Sequence, residues 1–319
     1  MYAIEAYGLT KRYGRTAAVD KLSMHVPAGD IYGFVGKNGA GKSTTMKMIA
    51  GLATPTSGEL ALFSNGRDGM REGAPSAAGR ARSFSSRPSR IGALIEEPGI
   101  LPNYSAYENL MAKALAMGVT RARRECGELL ELVGLEHVGS RKAKKFSQGM
   151  KQRLGLALAL VGSPDLLLLD EPFNGMDPET TRDLRRALVA LNQERNVTIV
   201  ISSHVLDQLM RVAKRYGVIA DGHMVKEFTD EELHAACGSS IRVRTTDPER
   251  TLALLEQGMP QATFRAEPDR SVVIGGALPE EVSEPLHETD QTVLELSVIE
   301  RDIEDYFVEL MGAEKDGGR

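Results

Sequence analysis

Short, fully apolar runs alternate along this chain with longer amphipathic stretches. Ile31-Tyr32-Gly33-Phe34-Val35 and Leu166-Leu167-Leu168-Leu169 are continuous runs of strand length. Runs of this kind predict central strands of a parallel sheet, covered on both faces. Residues 91–95 and 197–202 read the same way. Residues 3–7 and 22–26 predict two short strands around the turn-like Tyr13-Gly14-Arg15. Apolar positions at helical spacing predict helices over 107–117, 124–133, the stretch running to Val161, and 179–191. Residues 216–228 predict a hairpin about Asp221-Gly222.

The character changes near residue 230. Residues 241–245, 263–265, 272–274 and 293–298 predict strands, and 247–257 and 299–310 predict helices. The two parts divide as residues 2–229 and a small α+β module at 238–319. The module carries no catalytic constellation. Residues 64–90 hold six Arg against one Asp and one Glu, with few large apolar side chains. Such a segment cannot bury a core, so a long mobile surface loop is expected. Residues 313–319 are expected to fray.

Composition narrows the class. The chain has 319 residues, 42 % hydrophobic and 26 % charged, which fits two soluble domains. A net charge of −5 argues against broad nucleic-acid binding. Cys126 and Cys237 stand far apart, so neither a disulfide framework nor a zinc site is expected, and a reducing compartment fits. Glu5 interrupts the start before any apolar core, so no secretory leader is expected there. The apolar runs fall well short of the roughly 20 residues of a membrane helix. The chain is not expected to cross a membrane itself.

The chemistry begins at Gly36-Lys37-Asn38-Gly39-Ala40-Gly41-Lys42-Ser43-Thr44. It fits the phosphate-binding pattern G-x-x-x-x-G-K-[ST], set between a predicted strand and a predicted helix. Glycines let the backbone curl so that its N–H groups face an anion. Lys42 reaches β- and γ-phosphates, and the Ser43 hydroxyl suits Mg²⁺. Downstream, Asp170 and Glu171 end the Leu166 run, at the strand edge where parallel sheets bind ligands. Asp170 suits a Mg²⁺ contact and Glu171 a base that polarises water. Ser203-His204 ends a second run on the same sheet edge, so His204 reads as a phosphate sensor or as a structural histidine. Ser147 is a natural N-cap, and beside Gly149 it makes a second anion site or a plain capped helix. Tyr13 is an aromatic platform for a base or a packed hairpin tyrosine. The basic run at 141–145 is a solvated face by default.

Taken in order, the phosphate loop, Phe146-Ser147-Gln148-Gly149-Met150, Asp170-Glu171-Pro172, Asp177 and His204 resemble the ATP-binding subunit of an ABC transporter. The resemblance covers roughly residues 2–229. It implies a P-loop NTPase core with an antiparallel β subdomain and a helical subdomain. It further implies two copies facing head to tail with two ATP molecules between them. Residues 36–44 of one copy and Ser147 and Gly149 of the other would hold each ATP. Tyr13 would stack on adenine, Asp170 and Ser43 would hold Mg²⁺, Glu171 would act on water, His204 would contact the γ-phosphate, and Asp177 would lie at the seam. A separate integral membrane permease is implied, with this chain on the cytoplasmic face of a bacterial membrane. The C-terminal module then reads as regulatory, as a permease contact, or as a stabilising appendage.

Three positions depart from the family's usual pattern. Phe146-Ser147-Gln148-Gly149-Met150 stands for Leu-Ser-Gly-Gly-Gln, and Asn174-Gly175-Met176-Asp177 for Ser-Ala-Leu-Asp. In Ile95-Glu96-Glu97-Pro98, Glu96 occupies the place of a Gln that touches Mg²⁺ and water. A carboxylate there can bind Mg²⁺ but adds negative charge near the γ-phosphate. These departures, with Phe173 to Pro178 and Ile303-Glu304-Asp305-Tyr306-Phe307, resemble bacitracin-resistance and lantibiotic-immunity exporters. That subgroup implies expulsion of an antimicrobial peptide, antibiotic or similar amphipathic molecule. Two other readings compete. One is a soluble ABC-type ATPase acting on ribosomes or DNA, against which stand a single phosphate loop and no heptad run. The other is a slow regulatory ATP-binding module, which Glu96 would allow.

Overall fold

The computed structural model describes residues 1–64, 83–84, 90–288, 292–300 and 302–312. Most of the arginine-rich loop expected at 64–90, and the fraying expected at 313–319, lie outside the described residues. The chain divides into two units, Met1–Asp230 and Glu231–Arg319.

The first unit opens with β1 (Tyr2–Tyr13) and β2 (Thr16–Pro27), an antiparallel hairpin closed at Tyr13↔Thr16. Both strands run longer than their alternation suggests. Register shifts between Ala6 and Leu9, and again between Leu9 and Lys11, break the period of two. β3 (Ile31–Val35) follows and leads through the glycine-rich loop into α1 (Lys42–Ala50). β4 (Ser57–Ser64) returns to pair with β1, and β5 (Ser83–Phe84) extends that sheet.

The helical part comes next. β6 (Ile91–Leu94) precedes α2 (Ala106–Ala116), α3 (Ala122–Leu132) and α4 (Gln148–Leu160). A capping box starts α2. The Ser105 hydroxyl accepts from Glu108 N, and the Glu108 carboxylate accepts from Ser105 N at 2.6 Å. Ser147 caps α4 in the same sense, accepting from Met150 N at 3.3 Å.

β7 (Leu166–Asp170), α5 (Pro178–Arg195), β8 (Thr198–Ser203), the short α6 (Leu206–Met210), β9 (Arg215–Ala220) and β10 (His223–Thr229) complete the unit. Their sheet has the order β10-β9-β3-β8-β7-β6, parallel except for β10. All residues of β3, β7 and β8 are buried, which explains their continuous apolar composition. Each of the four β7 leucines is fully buried and contributes about 2 kcal/mol of transfer free energy. The β9–β10 turn uses Asp221 and Gly222 at positive φ, as a two-residue hairpin of this twist requires. No helix among the described residues is long and apolar enough to cross a membrane.

The second unit opens with α7 (Asp230–Ala236), whose first residue closes the first unit. It contains β11 (Ser239–Thr245), α8 (Pro248–Gly258), β12 (Thr263–Ala266), β13 (Ser271–Gly275), α9 (Pro279–Glu288), β14 (Val293–Glu300) and α10 (Ile303–Leu310). The sheet order β12-β13-β11-β14, all antiparallel, makes a ferredoxin-like βαββαβ unit. Ile241, Val243, Val272 and Ile274 meet Leu255 of α8 and Val282 and Leu286 of α9 in one core. One sequence expectation is corrected here. The helix expected at 299–310 begins only at Ile303, because Ile299 pairs with Ser240 in β14 and Asp302 caps α10. Helix α9 has no counterpart in the expected elements.

Candidate functional site

The phosphate loop joins the end of β3 to the start of α1. Gly41 is the N-cap of α1 at φ +107°. A Cβ there would lie 2.6 Å from the Ala18 carbonyl oxygen of β2, so only glycine fits. The loop is fastened from outside, since Gly222 N donates to Ala40 O at 3.1 Å. Lys42 folds back over the loop, donating to Gly36 O at 2.6 Å and Lys37 O at 3.1 Å. Burial pushes its ammonium below the ordinary lysine range, and the nearby Glu171 and Asp170 carboxylates oppose that shift. Lys37, Asn38 and Gly39 are exposed, while Ser43 and Thr44 are half-buried in the first turn of α1.

Two neighbouring strand ends bring the carboxylates and the histidine to Lys42. Asp170 closes β7, is buried, and accepts from the Ser202 hydroxyl. Glu171 follows at φ +48°, a left-handed conformation costing about 1 kcal/mol or more for a residue with a side chain. Its backbone N–H is held by Ser202 O at 3.2 Å and by the Ser202 hydroxyl at 3.1 Å. Its Oε1 lies 2.8 Å from His204 Nδ1 and 3.8 Å from Lys42 Nζ. The Ser203 hydroxyl approaches Oε2 at 3.4 Å. Lys42, Asp170, Glu171 and His204 therefore form one contiguous set at the start of α1 and the ends of β7 and β8.

The remaining candidates fall around this set. Gly149 packs against the Gly175 carbonyl oxygen, which would be 3.5 Å from a Cβ. Asp177 caps α5, accepting from Thr180 N at 2.9 Å and the Thr180 hydroxyl at 2.7 Å. Those two donors, the backbone N–H foremost, hold its carboxyl below the usual carboxylate range. Ser147 is exposed at the start of α4, and no hydrogen bond or ion pair among the described residues joins it or Gly149 to residues 36–44. Tyr13 is 54 % exposed at the tip of the β1–β2 hairpin, with Lys11 Nζ 5.1 Å from its ring centre. Glu96 sits at φ +60° after β6, and its Oε1 pairs with Lys47 Nζ on α1 at 2.5 Å.

Sequence reasoning missed four residues that this geometry uses. Ser202 holds the Asp170 carboxylate and the Glu171 backbone N–H, Gly222 braces the loop, Lys47 pairs with Glu96, and Gln152 of α4 approaches Glu171 O at 3.5 Å. For Ser202 alone a signal existed, a hydroxyl at the polar end of an apolar strand.

The donor chemistry suits Mg²⁺. The Ser43 hydroxyl and Asp170 carboxylate are hard oxygen donors beside a phosphate loop, and Mg²⁺ takes only one or two protein oxygens when phosphates supply others. No group of three or more His, Cys, Asp or Glu among the described residues forms a self-sufficient metal cage.

The chain is similar to known proteins over most of its length. Residues 19–174 match the ABC transporter family model. The chain is 36 % identical over 314 residues to the bacitracin transport ATP-binding protein BcrA of Bacillus licheniformis, covering 97 % of each. The chain belongs to the ABC transporter family. The lantibiotic transport ATP-binding protein SrtF of Streptococcus pyogenes is 39 % identical over 225 residues, covering 70 % of this chain and 90 % of that protein. The dimeric structure of a bacterial ABC transporter cassette matches with TM-score 0.61 at 24 % identity, over 71 % of this chain and 98 % of that one. At that identity the structure supports the fold alone. In this ABC transporter family member the matched residues 19–174 include the phosphate loop, Asp170 and Glu171.

Proposed function

We propose that this chain is the ATP-hydrolysing subunit of an ABC exporter and powers a separate integral membrane permease. The observation that carries the reading is the convergence of Lys42, Glu171 and His204, with Glu171 within 4 Å of both. Lys42 and the backbone of Gly36, Lys37, Asn38, Gly39, Ala40, Gly41, Ser43 and Thr44 take the ATP phosphates. Ser43 and Asp170 would hold Mg²⁺, with Glu96 as a further candidate ligand, and the metal would supply charge neutralisation to the phosphates. Glu171 accepts the proton of the attacking water, while His204 fixes the carboxylate and contacts the γ-phosphate. Tyr13 stacks on adenine.

A second copy completes the site. Ser147 and Gly149 open a 13-residue helix whose exposed N-terminus suits an anion. Among the described residues they make no hydrogen bond to residues 36–44, and in this reading they serve the ATP of the partner in a homodimer. Asp177 lies at the seam. Closure on ATP and opening after hydrolysis drive the permease. The chain works at the cytoplasmic face of a bacterial membrane, as a peripheral subunit. Its relatives' names point to bacitracin and lantibiotics, and an antimicrobial peptide or similar amphipathic molecule is the exported class.

The permease contact is the groove of about 520 Å³ lined by Leu52, Leu94, Ile95, Leu101 and Leu158. Leu52 is 71 % exposed and Leu101 45 %, and Glu97 and Pro98 form the groove's edge beside Glu96. An apolar helix face of the permease fits such a groove. Isolation of the tagged chain from its native membranes with ATP tests the reading. Recovery of a polytopic membrane protein, lost with Leu52→Glu and Leu101→Glu, is expected. Recovery of ribosomes or nucleic acid would keep the ATPase and overturn the transport role.

A further inference from the structure

The Glu96–Lys47 pair is partly exposed and joins the turn after β6 to α1. Glu96 departs from the usual Gln of the family and stands at a left-handed φ of +60°. The turn that carries it is pinned from behind. Pro98 packs onto α4 so closely that a Cβ on Gly155 would lie 2.4 Å from the Pro98 Cβ. From the other side comes Lys47, four residues after Ser43 and thus one turn further along the same face of α1. The carboxylate that departs from the family pattern is thereby held by a cation on the very helix that presents the Mg²⁺ hydroxyl.

We propose that Lys47 and Mg²⁺ compete for the Glu96 carboxylate, so that this ion pair sets how much Mg²⁺ the site requires. The inference rests on the metal reading given above. A carboxylate in contact with an ammonium at 2.5 Å is already charge-compensated. A hard divalent cation that takes the same oxygens must displace the ammonium or sit beside it against like-charge repulsion. A neutral Gln in this place would involve no such exchange. Lys47 is a positioning residue in this scheme and touches neither phosphate nor water.

The test is Mn²⁺ binding, followed by electron paramagnetic resonance on the full chain with a non-hydrolysable ATP analogue. Lys47→Met should tighten Mn²⁺ by about three- to fivefold, the scale of an exposed ion pair. Lys47→Arg should behave like the parent. In a Glu96→Gln background, Lys47→Met should change nothing, because the object of the competition is gone. A Mn²⁺ affinity indifferent to residue 47, or shifted equally with and without Glu96, overturns the competition. Asp170→Asn separates the two levels. If it abolishes Mn²⁺ binding while residue 47 has no effect, only the competition fails. If Asp170→Asn leaves Mn²⁺ binding intact, the metal reading fails and takes the competition with it.

Discussion

Glu171 and His204 meet at 2.8 Å although 33 residues separate them, because β7 and β8 run parallel in register and end side by side. Asp170 pairs with Ser202 across the two strands, so the residues just beyond them face the same edge of the sheet. The strained backbone of Glu171 points its carboxylate at both His204 and Lys42.

Replacing Glu171 by Gln keeps the shape and removes the base. ATPase kcat should fall about 100-fold or more, the scale of lost general-base catalysis. ATP affinity should stay within about threefold, since binding rests on the phosphate loop. Steady-state phosphate release and equilibrium nucleotide binding check this. Turnover at the parent rate would remove Glu171 from its assigned role.

Gly41→Ala should disable nucleotide binding. The residue stands at φ +107°, and the added methyl would meet the Ala18 carbonyl oxygen at 2.6 Å. Relief requires the loop to shift away from β2, at a cost of about 1–3 kcal/mol from backbone strain alone. Fluorescent ATP-analogue titration should show at least about tenfold weaker binding, and the melting temperature should fall. Unchanged affinity would mean that the loop tolerates a different path.

The parts legible in the sequence are those where a fully buried strand stops abruptly at polar residues. Leu166 to Glu171 and Val200 to His204 are of this kind, and so is the run into Gly36. Their strand length and abrupt ends identify them as buried strands, and the polar residue after the run marks the ligand edge. The Lys47–Glu96 pair was illegible because 49 residues separate its members and a half-exposed helix lysine resembles any solvated one. Helix α9 was illegible because Pro285 lies inside it and reads as a break. The ferredoxin-like arrangement needed the strand order, which short strands of half-buried residues do not announce.

Gly155→Ala should disturb the turn that carries Glu96. Its Cβ would lie 2.4 Å from the Pro98 Cβ and 2.8 Å from Leu94 Cδ1. Overpacking of this kind costs about 1–3 kcal/mol. Thermal melting should register that loss. The Mg²⁺ dependence of ATPase should change as well, because Pro98 follows Glu96 by two residues. A destabilised protein with parent-like Mg²⁺ dependence would show that the turn absorbs the methyl without moving Glu96.

The first unit should also lose one stabilising contribution as pH rises. His25 of β2 donates its backbone N–H to Glu227 Oε1 at 2.9 Å, and its Nδ1 lies 3.0 Å from Glu227 Oε2. The buried Tyr32 hydroxyl donates to the same Oε1 at 2.7 Å, and the rings of Tyr2 and Tyr7 meet the imidazole edge-on. The Glu227 hydrogen bond raises His25 above its ordinary 6.5, and the charges of Glu227 and Glu5 add to it against the opposing effect of burial. A group whose folded pKa is raised binds its proton more tightly in the native state. Its contribution is therefore complete below about 6.5 and disappears as pH climbs through the raised folded value. Thermal melts of the parent and His25→Asn should differ most near pH 6 and converge toward pH 8.5, values set by the approximate range of histidine titration. A gap that widens with pH would reverse the sign and show that His25 is held neutral in the folded protein.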